Sequence, residues 1–100
     1  MNKWEEIIIA ASIGAAMAEF GMDKSSAGGK ALFCVCCVAA EQDKAGLPWS
    51  ASGMVQNYAE FSHTKQINVW QNIRRAIKRA GWDVTVGGAI YLLARVGERA

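Results

Sequence analysis

The chain has 100 residues, of which 52% are hydrophobic and 20% are charged. This length and apolar content fit one globular domain, residues 1–100, and exclude a disordered chain. The apolar runs are too short or too polar at their flanks to span a bilayer, and Glu5-Glu6 argues against a signal peptide. We therefore expect a cytoplasmic protein with no membrane partner.

The net charge of +2 is unevenly distributed along the chain. Residues 1–50 carry four Lys and six acidic residues, whereas residues 51–100 carry seven cations and three acidic residues. A basic surface is therefore expected in the second half. An excess of +2 is low for a nucleic-acid binder, because duplex affinity comes largely from neutralised phosphates, and it counts mildly against DNA as the partner.

Three cysteines lie together at Cys34, Cys36 and Cys37, and the one histidine is His63. A structural zinc site needs four ligands, and neighbouring cysteines in one helix cannot form a relaxed disulfide. We therefore predict buried free thiols in a reducing compartment, with no metal and no cofactor. His63 is predicted to be a surface or turn residue, and without an activated nucleophile or a catalytic carboxylate pair we do not expect an enzyme.

Two apolar helices are predicted in the first half. Helix one covers about residues 3–20, with Asn2 as its cap, and its body is apolar on nearly every side, so we expect it to be the central, most buried helix. Helix two covers about residues 26–44, and Gly28-Gly29 is interpreted as a flexible helix start. Its buried face is predicted to comprise Leu32, Phe33, Cys36, Cys37 and Ala40.

A short helix followed by a basic helix is predicted next. Ser50 or Ser52 can cap the short helix, which is expected to end near Phe61 with Met54, Val55, Tyr58 and Phe61 directed inward. Ser62-His63-Thr64 interrupts the pattern, and Thr64 is predicted to cap the basic helix. A helix, a tight turn and an amphipathic basic helix are typical of a helix-turn-helix.

Residues 67–80 have one apolar side and one basic side. The apolar side, within about 120° of arc, comprises Val69, Trp70, Ile73, Ala76, Ile77 and Ala80. The predicted partner-binding residues are Asn68, Gln71, Arg74, Arg75, Lys78 and Arg79. Cations interleaved with amides suit phosphates and base edges, so we predict a binding helix; a merely solvated amphipathic helix fits the same pattern.

A β-hairpin is predicted after Gly81. Gly87-Gly88 lies between β-favouring runs, which is typical of a tight turn, and both faces of the resulting hairpin would carry apolar groups. Trp82, Tyr91 and Leu92 are therefore predicted to form a secondary partner surface. The competing prediction is a short helix over residues 89–96. The predicted fold is mainly α, a compact four-helix domain with a C-terminal β-hairpin, helix-turn-helix and winged-helix-like.

Part of the second half resembles the effector domain of the sporulation response regulator. The likeness rests on Phe61, on Thr64 and on the pattern Val69-x-x-x-Ile73-Arg74-x-Ala76-Ile77. The turn differs by one residue, and the predicted hairpin has no counterpart that we can place in that domain. This resemblance implies a DNA-binding helix-turn-helix.

As a whole, the chain also resembles the small single-domain proteins that bacteriophages make against CRISPR systems, in particular inhibitors of the type I-F surveillance complex. The resemblance lies in length and overall sequence, so no functional residue is carried over. It implies a non-enzymatic protein that binds surveillance-complex subunits in the host bacterial cytoplasm and prevents target DNA binding. We place this inhibitor first, because the apolar hairpin suits a protein contact, the net charge is low and no dimerisation helix is obvious. The alternative is a winged helix-turn-helix DNA-binding transcriptional regulator that contacts duplex DNA.

Overall fold

The computed structural model describes residues 2–100, which form five α-helices and no β-strand. The helices are α1 (Lys3–Glu19), α2 (Ala27–Lys44), α3 (Ala51–Phe61), α4 (Gln66–Arg79) and α5 (Val86–Glu98). The prediction of four helices with a C-terminal hairpin is therefore wrong, because the described residues form five helices. The winged-helix prediction is wrong as well, because the hairpin was to form the wing. Within residues 2–100, no helix is long and apolar enough to cross a membrane.

Side-chain caps set the starts of four of the helices. Asn2 accepts a hydrogen bond from the Glu5 amide at 2.9 Å, and Ser26 and Ser50 do the same for the amides three residues ahead. Each cap satisfies a backbone donor that has no partner inside the helix. Helix α4 begins after Lys65 without a side-chain cap, so the prediction for Thr64 is wrong. The Thr64 hydroxyl instead donates to the Ser62 carbonyl at 3.2 Å.

The segment predicted as a hairpin is helix α5, because its apolar residues repeat with the period of a helix. Thr85 caps this helix by accepting from the Gly88 amide at 3.0 Å, which places Gly87-Gly88 in the first turn. The buried side of α5 comprises Val86, Ala89, Ile90, Leu93, Ala94 and Gly97. Spacings of three and four residues align on one helix face, whereas in a strand the same residues would be split between two faces.

Helix α2 is the centre of the domain. It contacts each of the other four helices, whereas within residues 2–100 helix α1 packs only against α2 and α5. The prediction that helix one is central is therefore wrong, although Ile9 and Ile13 are fully buried. The outward side of α1 leaves Trp4 and Ile8 exposed. An apolar composition on every side of a helix does not determine which side is covered.

The start of α2 is tightly packed, contrary to its interpretation as flexible. Gly28 and Gly29 are buried, and a Cβ atom at Gly28 would lie 1.9 Å from the Asn72 carbonyl oxygen of α4. Only a residue without a side chain permits this approach of two backbones. Gly28 therefore helps to set the position of α4 on the central helix.

Candidate nucleic-acid interface on helix α4

Helices α3 and α4 are joined by residues 62–65, where a helix-turn-helix is predicted, and the two helices pack against each other. His63 lies in this turn, exposed as predicted, with a φ angle of +55°. The His63 amide donates to the Glu60 carbonyl at 3.3 Å, and the Thr64 amide donates to the Ala59 carbonyl at 2.9 Å. These two bonds close the C-terminus of α3 in the manner of a Schellman motif, with histidine where glycine is usual.

The inner side of α4 is fixed by packing. Val69, Ile73, Ala76 and Ile77 are buried in the common core, and α4 contacts α2, α3 and α5. Trp70, which the sequence analysis places on the same side, is half-buried at its edge. Because one side of the helix is held in this way, the opposite side is presented outward in a single orientation.

The outward side of α4 carries the six predicted partner-binding residues, and all six are exposed. We call this surface the basic face; it comprises Asn68, Gln71, Arg74, Arg75, Lys78 and Arg79. At 3.6 residues per turn, the six side chains span about 140° of arc with Gln71 near the middle. Arg75 donates to Asn72 Oδ1 at 3.3 Å, which orients its guanidinium along the helix surface.

The four cations of the basic face have different surroundings. Arg79 lies at the edge, where it lines a small hollow with Asp23 from the α1–α2 loop. Hydrogen bonds from Ser25 lower the pKa of the Asp23 carboxyl, and the positive charge of Arg79 lowers it further. Part of the charge of Arg79 is thus balanced within the protein. Arg74, Arg75 and Lys78 remain the principal cations for a ligand.

A groove of about 530 Å³ runs beside α4. Its walls are Trp70, Arg74 and Lys78 from α4 and Trp82 and Val84 from the segment that leads to α5. This segment is the first part of the chain that was predicted to form the hairpin. The groove therefore places two tryptophans next to two cations of the basic face.

The predicted secondary surface does not form as one surface. Trp82 is half-buried; its indole nitrogen donates to the Phe20 carbonyl at 3.0 Å, and its ring meets Phe20 edge-on at 5.4 Å. Tyr91 lies on α5 and stacks on Trp49 at 4.5 Å, while Leu92 is exposed. Trp82 and Tyr91 line different hollows. The three residues were predicted to lie on a hairpin, and the structure has a loop and a helix there instead.

Two exposed apolar residues, one at the end of α3 and one in the first turn of α4, were missed as candidate contacts. Phe61 was predicted to point inward but is 79% exposed, and Ile67 is 60% exposed. Phe61 is the last residue of α3, so no further turn of that helix covers its ring. The position of a residue at a helix end is the sequence signal that could have identified this exposure.

The cysteines lie away from the basic face, in α2, and are free thiols. Cys36 is buried as predicted, whereas Cys34 and Cys37 are only half-buried. Burial raises the pKa of all three thiols, that of Cys37 to about 12, so the reactive thiolate is scarce at neutral pH. Within residues 2–100, no group of three or more His, Cys, Asp or Glu side chains is arranged to hold a metal ion.

Comparison with known proteins adds no family to this description. No family model, no curated protein and no solved structure matches the chain.

Proposed function

We propose that the protein is a DNA-binding regulator that inserts the basic face of α4 into the major groove of duplex DNA. The observation that carries the proposal is the two-sided arrangement of α4: its apolar side is buried in the core, and its six polar and cationic residues are all exposed on the other side. In a helix-turn-helix, the recognition helix is held in this way by the preceding helix and turn.

The residues of the basic face suit different parts of DNA. The N-terminal half of a recognition helix usually meets base edges, and Asn68 and Gln71 lie there with amides that can pair with adenine. Arg75 follows on the same side and suits a guanine edge. Arg74 and Lys78 lie at one edge of the basic face, where they can neutralise phosphates. Helix α4 is about 21 Å long at 1.5 Å per residue, enough to cross the groove.

The helix found in place of the hairpin reverses the order of the two functions: the sequence analysis placed the CRISPR inhibitor first, and the structure favours the DNA-binding regulator. The apolar hairpin was an argument for a protein-binding inhibitor, and residues 82–98 form a loop and a helix instead. The hairpin was also a feature without a counterpart in the sporulation effector domain. Of the residues that carry that resemblance, Val69, Ile73, Ala76 and Ile77 are buried, so the likeness concerns how α4 packs.

Fluorescence anisotropy with a labelled random duplex tests this proposal. Replacing Arg74 and Lys78 by Gln should weaken binding and lower the salt slope by about 0.9 for each phosphate contact that is lost. The matched control replaces Arg95 and Arg99, two exposed cations of α5, by Gln, which removes the same charge elsewhere. Equal effects of the two variants, or no salt-dependent binding by the wild type, would contradict the proposal.

A second candidate function is inhibition of the type I-F CRISPR surveillance complex in the bacterial cytoplasm. The observation in its favour is that Ile67, in the first turn of the helix that carries the basic face, is largely exposed, and a mixed apolar and cationic surface suits an acidic protein partner. The test measures capture of target DNA by the purified complex. Blockage by the wild type, together with weak binding to free duplex, would favour this candidate.

A further inference from the structure

A second groove lies over α2, between α1 and α3. Both flanking helices pack on α2, but within residues 2–100 they do not pack on each other, and the gap between them has a volume of about 540 Å³. The lining is mostly apolar and includes Ala10, Phe33, Val38, Met54, Tyr58 and Phe61. Sites for small molecules have volumes of about 300–1,000 Å³ and the same apolar character.

The charged groups that line this groove are both carboxylates. Glu6 comes from α1 and Glu41 from α2. Both carboxylates line the same groove; burial raises the pKa of Glu41, and the negative charge of Glu6 raises it further. A cation between them would remove this repulsion and gain attraction from both.

The other titratable side chains that line the groove are neutral near pH 7. Burial raises the pKa of Cys34, Cys37 and Tyr58, which keeps them protonated. Lys24 is not among the lining residues, but its ammonium lies 5.3 Å from the centre of the Phe33 ring, and its charge opposes the raised pKa of Cys37, so a cation lies beside the groove next to Phe33. Among the lining residues themselves, the charged side chains are the carboxylates Glu6 and Glu41.

We propose that this groove binds a small hydrophobic amine. The ligand's hydrocarbon part lies along Phe33, Met54 and Phe61, and its ammonium group lies between Glu6 and Glu41. The size and apolar lining of the groove favour a small molecule, and its charge selects a cation over a neutral or anionic analogue. This proposal does not depend on DNA binding by α4.

The test is an NMR titration of the ¹⁵N-labelled protein with n-octylammonium, n-octanol and octyl sulfate, each below its micelle concentration. The expected result is binding of octylammonium roughly tenfold tighter than octanol, weaker binding of octyl sulfate, and shifts confined to the groove. The variant Glu6→Gln/Glu41→Gln should lose this preference while its affinity for octanol changes less than about twofold. Equal affinities for all three probes, or the same preference in the variant, would overturn the proposal.

A pair of matched substitutions locates the site. Ala10→Phe fills the groove and should abolish binding of octylammonium, whereas Ala15→Phe, on the exposed side of the same helix, should not. Circular dichroism verifies that both variants fold. Sedimentation of the wild type without a probe checks whether a second copy of the chain covers the groove. Concentration-dependent dimerisation that Ala10→Phe abolishes and Ala15→Phe retains would overturn the amine proposal, as would unchanged binding by Ala10→Phe.

Discussion

Substitution of Gly28 by Ala tests the packing that positions α4. The added Cβ would lie 1.9 Å from the Asn72 carbonyl oxygen and 2.9 Å from the Ala76 Cβ, both well inside ordinary contact. The nearest obstacle is backbone and cannot rotate away, so α2 and α4 must separate. Overpacking of this kind costs about 1–3 kcal/mol, and we expect a loss toward the upper end of that range.

Gly87 offers a matched control for this substitution. Both glycines are the second residue of their helix, but a Cβ at Gly87 would meet only Ala51 Cβ, at 3.8 Å, which is an ordinary contact. Gly87→Ala should therefore raise the free energy of unfolding by about 0.5 kcal/mol, because alanine loses less backbone entropy than glycine on folding.

Urea unfolding followed by circular dichroism measures both effects. With a slope of about 1–3 kcal/mol per molar urea, Gly28→Ala should lower the midpoint by about 1 M, and Gly87→Ala should leave it unchanged or raise it. A Gly28→Ala midpoint at or above that of Gly87→Ala would refute the close contact between α2 and α4. It would also show that the packing of Gly28 against α4 does not set the position of the basic face.

Other predictions concern the turn, the last helix, the thiols and one carboxyl. His63→Gly should stabilise the protein by about 1 kcal/mol in urea unfolding, because glycine adopts a positive φ without strain; an unchanged midpoint would count against the observed turn. Thr85→Ala should destabilise by about 1 kcal/mol and lower the helical circular dichroism signal, whereas a hairpin would lose no helix cap. Cys37 should be alkylated much more slowly in the native protein than in urea at pH 8, since burial raises its pKa to about 12, and equal rates would contradict this. Burial raises the pKa of Glu41 in the folded state above its ordinary value of 4.5, so the contribution of this carboxyl to stability should fall as pH rises above that value. Glu41→Gln should therefore gain stability relative to wild type between pH 3 and pH 7, measured by urea unfolding at both, and a constant difference would be inconsistent with the raised pKa.

The basic helix could be predicted from the sequence because its two sides differ strongly. Val69, Ile73 and Ile77 recur at helical spacing, and cations fill the opposite side, so both the helix and its orientation follow from local periodicity. The starts of α1 and α3 were also predictable, because Asn2 and Ser50 are strong cap residues.

The hairpin prediction failed because Gly87-Gly88 has two local interpretations. A glycine pair suits a tight strand turn, but it is also tolerated in the first turn of a helix when a residue such as Thr85 caps the chain. The choice depends on long-range packing: a Cβ at Gly97 would lie 2.7 Å from Ile13 Cδ1 of α1, a close approach that the helical register brings about. The groove between α1 and α3 was equally unpredictable, because it arises from a gap between helices that are distant in the sequence.

The most direct test of DNA binding by the basic face is an NMR titration of the ¹⁵N-labelled protein with a short random duplex at about 50 mM and about 200 mM salt. The largest shifts should occur at Asn68, Gln71 and Arg75, and the affinity should fall steeply at the higher salt concentration. Shifts concentrated on α1 or α5, or no salt-dependent shift on α4, would contradict it.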